Sequence, residues 1–197
     1  MPYINMDNFT LKPENTFPPE KGKVLISEPY LEDKYFKRTV VLICEYNQDG
    51  VFGLVLNKAV SIYPQDLIED FPTFNYSIFS GGPVDTKNLF FIHSMAGLND
   101  SIEIAPNLFL GGDFDQMKQL ILTGELHPGN LKLFVGYSGW GKGQLEEEIS
   151  EKSWVVAPTS SELIFGTHEK ELWSAHLKSL GDEFGYLTQL PEDPSMN

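Results

Sequence analysis

A single-domain α+β fold is what this sequence predicts, on three observations. The segments GKVLISEP, RTVVLICEY and VFGLVLN are rich in Val, Ile and Leu and are separated by turn residues, the pattern of hairpin-linked strands. Helical patterns fall between such strands without the regular strand–helix–strand alternation of a parallel sheet. Finally, 197 residues of which 41% are hydrophobic and 13% aromatic suffice for one well-buried core and lie near the upper end of what one core fills.

Taken in order, residues 1–21 carry four prolines and little apolar periodicity, so they are expected to form an extended N-terminal arm. The domain is expected over 22–190. Asn47-Gln48-Asp49-Gly50 reads as the hairpin between the second and third strands, and the continuous apolar run Thr39 to Cys44 implies a strand covered on both faces. SIYPQDLIED predicts a short helix with Pro64 near its start and Ile62, Leu67 and Ile68 for packing. YSIFS and Leu89 to His93 read as strands either side of a Gly-Gly-Pro turn. Asp113 is placed to cap a helix over Phe114 to Leu122, whose apolar face is Phe114, Met117, Leu120 and Ile121. LKLFVGY is a strand, and a glycine-rich loop then leads into a helix from Gln144. SWVVAP is another strand, and a last helix spans about Glu169 to Ser179 with Leu172, Trp173 and Leu177 inward. Residues 191–197 read as a mobile acidic tail.

The charge balance narrows the function classes. With 28 acidic and 14 basic residues the formal charge is -14, which weighs against nucleic acid as a direct partner. Lys34, Lys37 and Arg38 are the nearest approach to a basic patch. Cys44 is the single cysteine, which excludes an intramolecular disulfide, leaves no Cys-based zinc site within one chain and fits a reducing cytoplasm. No signal pattern or membrane-length apolar run is present, so a soluble cytoplasmic protein without membrane attachment is expected. The four histidines, His93, His127, His168 and His176, include no helical i, i+4 pair. No metal site and no cofactor are expected.

The stretch GYSGWGKGQLEEEIS, Gly136 to Ser150, carries the densest motif-like pattern. Gly136 to Lys142 has the spacing of a Walker A loop, but the next residue is Gly143 where the magnesium-binding hydroxyl belongs, and three glutamates follow. A dinucleotide fingerprint fails because its third glycine position is Gln144. A nucleophile elbow fails because Trp140 occupies its last glycine position. Ser138 remains a candidate nucleophile if a histidine lies near it, though a serine in a glycine-rich turn commonly bonds its own backbone. Structurally, the glycines allow positive φ and close approach, Trp140 fills a gap, and Leu145 and Ile149 share one helix face. Glu148 lies at the edge of that face and requires a partner.

GKVLISEPYL, FKRTVVLI, GVFGLVLNK, GGPV at Gly81 to Val84, FFIHS, GYSGWGKGQLEEEI and SWVVAP, in this order between about Gly22 and Gly181, resemble the signature blocks of the YqgE/AlgH family of bacterial proteins. The resemblance implies a single α+β domain in which a split, mostly antiparallel sheet packs against a barrel-like part with a few helices. One branch of that family carries a name as a regulator of alginate synthesis, described as transcriptional. Neither the charge nor any helix-turn-helix pattern here favours direct DNA contact.

The matching polar and turn positions are Arg38, Asn57, Gly81, Gly82, Pro83, His93, Tyr137, Gly139, Trp140, Gly143, Gln144 and Glu148. Each has a structural reading. Arg38 can pair with Glu148 or another acid, Asn57 can close a turn, Gly81-Gly82-Pro83 can be a backbone device or an anion-binding nest, and His93 can be a hydrogen-bonded core histidine. The functional reading places Arg38, Gly81, Gly82, His93, Tyr137, Gly139, Trp140 and Gln144 around one polar cleft with an aromatic wall. The expectation is a non-enzymatic binding or regulatory protein that recognises a small ligand or a protein partner there. The alternatives are a hydrolase or transferase using Ser138 or His93, and then a transcriptional regulator.

Overall fold

A computed structural model describes residues 17–191. Most of the expected arm and all but Pro191 of the expected tail lie outside the described residues. Nine strands form one sheet: β1 Val24–Ser27, β2 Val40–Asn47, β3 Gly50–Val55, β4 Phe79–Ser80, β5 Val84–His93, β6 Ile102–Ala105, β7 Leu108–Leu110, β8 Leu131–Gly141 and β9 Trp154–Ala157. The order is β6-β7-β5-β8-β3-β2-β1-β9, with β4 added in parallel to β8 and all other pairings antiparallel. The α+β expectation holds.

β8 is the strand that both halves share. Its first part, Leu131 to Tyr137, pairs with β5, and its last part, Ser138 to Gly141, pairs with β3. This is the split in the sheet. The curl brings the far edge back toward the start of the chain, where Lys21 Nζ donates to the Glu103 carbonyl at 3.1 Å. The sheet does not close into a barrel.

The central strands are covered on both faces, as their unbroken apolar runs require. Val24, Ile26, Val40 and Leu42 join Val155 and Ala157 in one core, and Leu25, Val41 and Ile43 join Val156 in the core opposite. Helix α5, Glu169–Ser179, covers the first core with Leu172, Trp173 and Leu177, and α3, Gln144–Ser150, seats Leu145 in the second. A third core under β5 and β8 takes Met117 and Ile121 from α2, Phe114–Leu122. The Asp113 carboxylate caps α2 by accepting from the Gln116 N–H at 2.8 Å, as its position before the apolar run demands.

Several expectations are corrected. The glycine-rich stretch is not a loop: Gly136 to Gly141 continue β8, and the turn into α3 is only Lys142-Gly143. The helix α1, Pro64–Leu67, is one turn, with Ile62 and Leu67 39% and 54% exposed rather than packed. The hairpin of β6 and β7 and the short helix α4, Ser161–Gly166, were not read from the sequence at all. Strands of three or four residues leave too few alternations to show a period.

Candidate functional site

The Gly-Gly-Pro turn lies directly on β8. Gly82 has φ of 153°, and a Cβ there would stand 2.3 Å from the Tyr137 carbonyl; one on Gly136, at φ 70°, would stand 2.7 Å from the Gly82 carbonyl oxygen. The two segments therefore meet backbone to backbone, a contact open only to glycine. Beyond it, Pro83, Gly139, Trp140 and Gln144 line one recess of about 260 Å³ with Phe36 and Trp154. The sequence-predicted residues Gly139, Trp140 and Gln144 thus share a cleft beside the turn formed by Gly81 and Gly82.

Glu148 organises that recess. Its Oε2 accepts from the indole N–H of Trp140 at 2.9 Å and of Trp154 at 2.7 Å, and its Oε1 accepts from the Gln144 amide at 3.0 Å. The two indoles meet edge to face, 5.9 Å between centroids, and Phe36 packs against both. Arg38 is not the partner of Glu148. A half-buried carboxylate held by two indole donors locks both aromatic side chains in one orientation.

The Gly81 donor suggested for an anion nest is already used, as is a backbone donor at the end of the neighbouring strand. The Gly81 N–H donates to the Val135 carbonyl and the Gly141 N–H to the Gln144 side chain. Ser138 is fully buried, and its hydroxyl donates to the Gly81 carbonyl at 3.0 Å.

The remaining predicted residues lie elsewhere. His93 sits at the end of β5, fully buried and stacked on Phe109, where its Nδ1 accepts from the Met95 N–H and its Nε2–H therefore donates to the Gly111 carbonyl. Burial lowers its pKa, outweighing those two bonds, so it is neutral at pH 7. Tyr137 packs between Phe52 and Phe90 and faces a separate shallow depression. Arg38 adopts φ of 50°, donates from Nη2 to the Leu190 and Pro191 carbonyls, and lies over the Trp173 ring at 5.0 Å. It lines a different cavity, of about 750 Å³, together with Lys34, Lys37, Lys58 and Lys170.

One unusual titratable group escaped the sequence reading. Lys132 is 1% exposed, with its ammonium 4.3 Å from the centroid of Phe79 and 5.5 Å from that of Tyr76. Burial pushes its pKa down to about 8, and Glu169 acts in the opposite direction. Burial and Glu169, which accepts from the Tyr76 hydroxyl at 3.2 Å, push Tyr76 up to about 12. The signal was available, since alternation in LKLFVGY puts Lys132 on the same strand face as Phe134. Cys44 is buried and its thiol pKa is raised by that burial, the environment of an inert packing residue. Among the described residues no cluster of His, Cys, Asp and Glu is arranged to hold a metal ion.

The model of the AlgH-like family matches residues 24–185. This chain belongs to the AlgH-like family. It is 44% identical over 179 residues to a UPF0301 protein of Cytophaga hutchinsonii, covering 90% of this chain and 98% of that one. A UPF0301 protein of Bacteroides thetaiotaomicron is 35% identical over 195 residues, covering 98% and 99%. Among solved structures, the AlgH protein of Pseudomonas aeruginosa superposes with a TM-score of 0.69 at 27% identity, covering 89% of this chain and 97% of that one. A protein of Corynebacterium diphtheriae superposes with a TM-score of 0.74 at 22% identity, over 88% and 94%, a likeness of fold. The AlgH-like fold is therefore common to chains that share about a quarter of their residues with this one. Its described residues contain no helix long and apolar enough to cross a membrane.

Proposed function

We propose that this AlgH-like protein is a non-enzymatic, cytoplasmic binding or regulatory protein that receives a small ligand or a protein partner at the recess beside the Gly-Gly-Pro turn. The observation that carries this reading is the Glu148 arrangement, in which one carboxylate holds Trp140 and Trp154 as the fixed aromatic wall of a cleft also lined by Pro83 and Gln144. Fixing such a wall before binding reduces the ordering required on association. The groups offered for catalysis are engaged in structure: the Ser138 hydroxyl faces the Gly81 carbonyl, and both His93 nitrogens are bonded elsewhere. A nucleophile needs a base within reach, and no imidazole is among the hydrogen-bond partners of Ser138. With a net charge of -14, regulation through a ligand or protein partner accords better with the chain than direct contact with DNA.

The test is a thermal-shift panel of amines, sugars, nucleotides and short peptides on the wild type, Gln144→Ala and Ser138→Ala. A binder raises the melting temperature by mass action. The expected result is a shift in the wild type and in Ser138→Ala that is absent in Gln144→Ala, whose side chain is exposed at the rim. A shift undiminished by Gln144→Ala removes the recess from the reading, and hydrolysis of a model ester lost in Ser138→Ala overturns the non-enzymatic assignment.

A further inference from the structure

The cavity of about 750 Å³ on the other side of Arg38 has a charge opposite to that of the protein. Lys34, Lys37, Arg38, Lys58 and Lys170 line it with a single acid, Glu32, in a chain that carries only 14 basic residues against 28 acidic ones. These cations come from three separate places: the connection from β1 to β2, the residues after β3, and the first turn of α5. Their grouping is a product of the tertiary fold. Like charges gathered around one concavity repel one another and focus a positive potential into it.

Among the described residues the ion pairs are Lys23 with Glu20, Lys118 with Asp115 and His168 with Glu169, and none involves Lys34, Lys37, Arg38 or Lys170. Arg38 is held rather than loose. Its guanidinium rests on Trp173, its Nη2 is fixed to two carbonyls, and its backbone carbonyl accepts from the Asn57 amide at 2.9 Å. Lys58 Nζ donates to the Lys37 carbonyl at 3.0 Å, tying the same segment to the end of β3. The Arg38 Nε is buried with no acceptor among the described residues, an arrangement that native proteins generally avoid.

We propose that this cavity is a binding site for a phosphorylated small molecule bearing several negative charges. A single carboxylate would leave most of Lys34, Lys37, Arg38 and Lys170 uncompensated, whereas an oligophosphate spreads charge over a comparable number of groups. The volume lies within the range of roughly 300–1,000 Å³ usual for small-molecule sites. A long nucleic acid would have to leave the cavity and cross a surface of net charge -14, which repels it. The site is distinct from the Trp140 recess and does not depend on the function assigned there.

Isothermal titration calorimetry of the full-length chain with inorganic tripolyphosphate, at about 50 mM and about 300 mM salt, tests the proposal. Lys34→Glu/Lys170→Glu is the decisive variant, because both side chains are exposed and an unchanged melting temperature shows that the fold is kept. The expected result is saturable binding that weakens with salt and falls by about tenfold or more in the double variant, with Gln144→Ala binding as the wild type does. ATP and a 12-nucleotide single strand form the comparison arms, and ATP is expected to compete with tripolyphosphate. Absence of saturable binding by both tripolyphosphate and ATP overturns the proposal. So does equal affinity in the double variant, loss of binding in Gln144→Ala, or tighter binding of the oligonucleotide than of tripolyphosphate at the same salt.

Discussion

Replacing Lys132 by methionine should stabilise the protein near neutral pH and lose that advantage in alkali. The side chain is 1% exposed, and burial lowers its pKa from 10.5 to about 8. The ammonium is still the major form at pH 7, and a difference of about 2.5 units corresponds to a destabilisation of about 3 kcal/mol at 1.36 kcal/mol per unit. Methionine keeps the length and apolar stem but removes the charge. It also removes the attraction of the ammonium to the Phe79 and Tyr76 rings, about 1–2 kcal/mol when desolvated, while Glu169 retains the Tyr76 hydroxyl as a donor. The net expectation for Lys132→Met at pH 7 is a gain of about 1–2 kcal/mol, or roughly 3–6 °C in melting temperature for a chain of this size.

The pH dependence supplies the sharper discriminator. The folded lysine releases its proton near pH 8 and the unfolded one near 10.5. Between those values the unfolded state binds more protons, so wild-type stability rises with pH through this window. By pH 10 the advantage of Lys132→Met should have shrunk by about 2.5 kcal/mol relative to pH 7, enough to remove it. The assay is calorimetric unfolding of both proteins from pH 7 to pH 10. A wild-type-to-variant difference that is constant across this range would refute the buried, depressed ammonium. A loss of more than about 1 kcal/mol at pH 7 would show that the ring contacts outweigh desolvation.

Further predictions follow from the same contacts. Glu148→Gln replaces an acceptor-only group that serves two indoles, and should destabilise by about 1–3 kcal/mol and shift the tryptophan emission spectrum; unchanged emission would deny the shared carboxylate. Gly82→Ala places a methyl 2.3 Å from the Tyr137 carbonyl, so it should unfold the chain or lower its melting temperature by well over 5 °C, about 2 kcal/mol or more for this size. His176 is buried and neutral, donating from Nδ1 to the Leu172 carbonyl and accepting at Nε2 from Thr159. Its pKa is lowered by burial, so its stabilising contribution should fade as pH drops below about 6.5 toward the lowered value. His176→Gln should have a flatter stability profile between pH 7 and pH 5 than the wild type, and parallel profiles would contradict this assignment. Ser138→Ala removes one of two donors to the Gly81 carbonyl, which keeps the Val55 N–H, and should lose about 0.5–1.5 kcal/mol, measurable by denaturant titration.

Much of the scaffold could be read from local pattern. The runs Val24 to Ser27 and Val40 to Cys44 are long enough and apolar enough to mark buried strands, and Asp113 marks the start of α2 by its place before an amphipathic run. The glycine segment reads locally as a loop because Gly136, Gly139 and Gly141 break every local strand propensity. Pairing of Phe52 with Gly139 and of Val51 with Trp140 supplies the ladder that makes it a strand, and no local rule contains that information. The helix position of Glu148 shows that it needs a partner, but local pattern offers Arg38 with Glu148 or another acid and does not reveal the actual donors, Trp140, Trp154 and Gln144. The order of signature blocks along the chain pointed to the AlgH-like family, which the family model and relatives of high coverage then showed.

By itself, then, the sequence determined the long buried strands and the helices from Phe114 and Glu169, the acidic balance and the family, because these depend on composition, on periodicity and on motifs contiguous in the chain. Tertiary structure alone decided which side chains share a site. It separated Arg38 and His93 from Trp140, set Lys132 among aromatic rings, and collected Lys34, Lys37, Lys58 and Lys170 around one cavity. The reason is physical: periodicity assigns a residue to a face of its own element, whereas convergence of residues more than a hundred positions apart depends on how a nine-stranded sheet curls and which helix covers it.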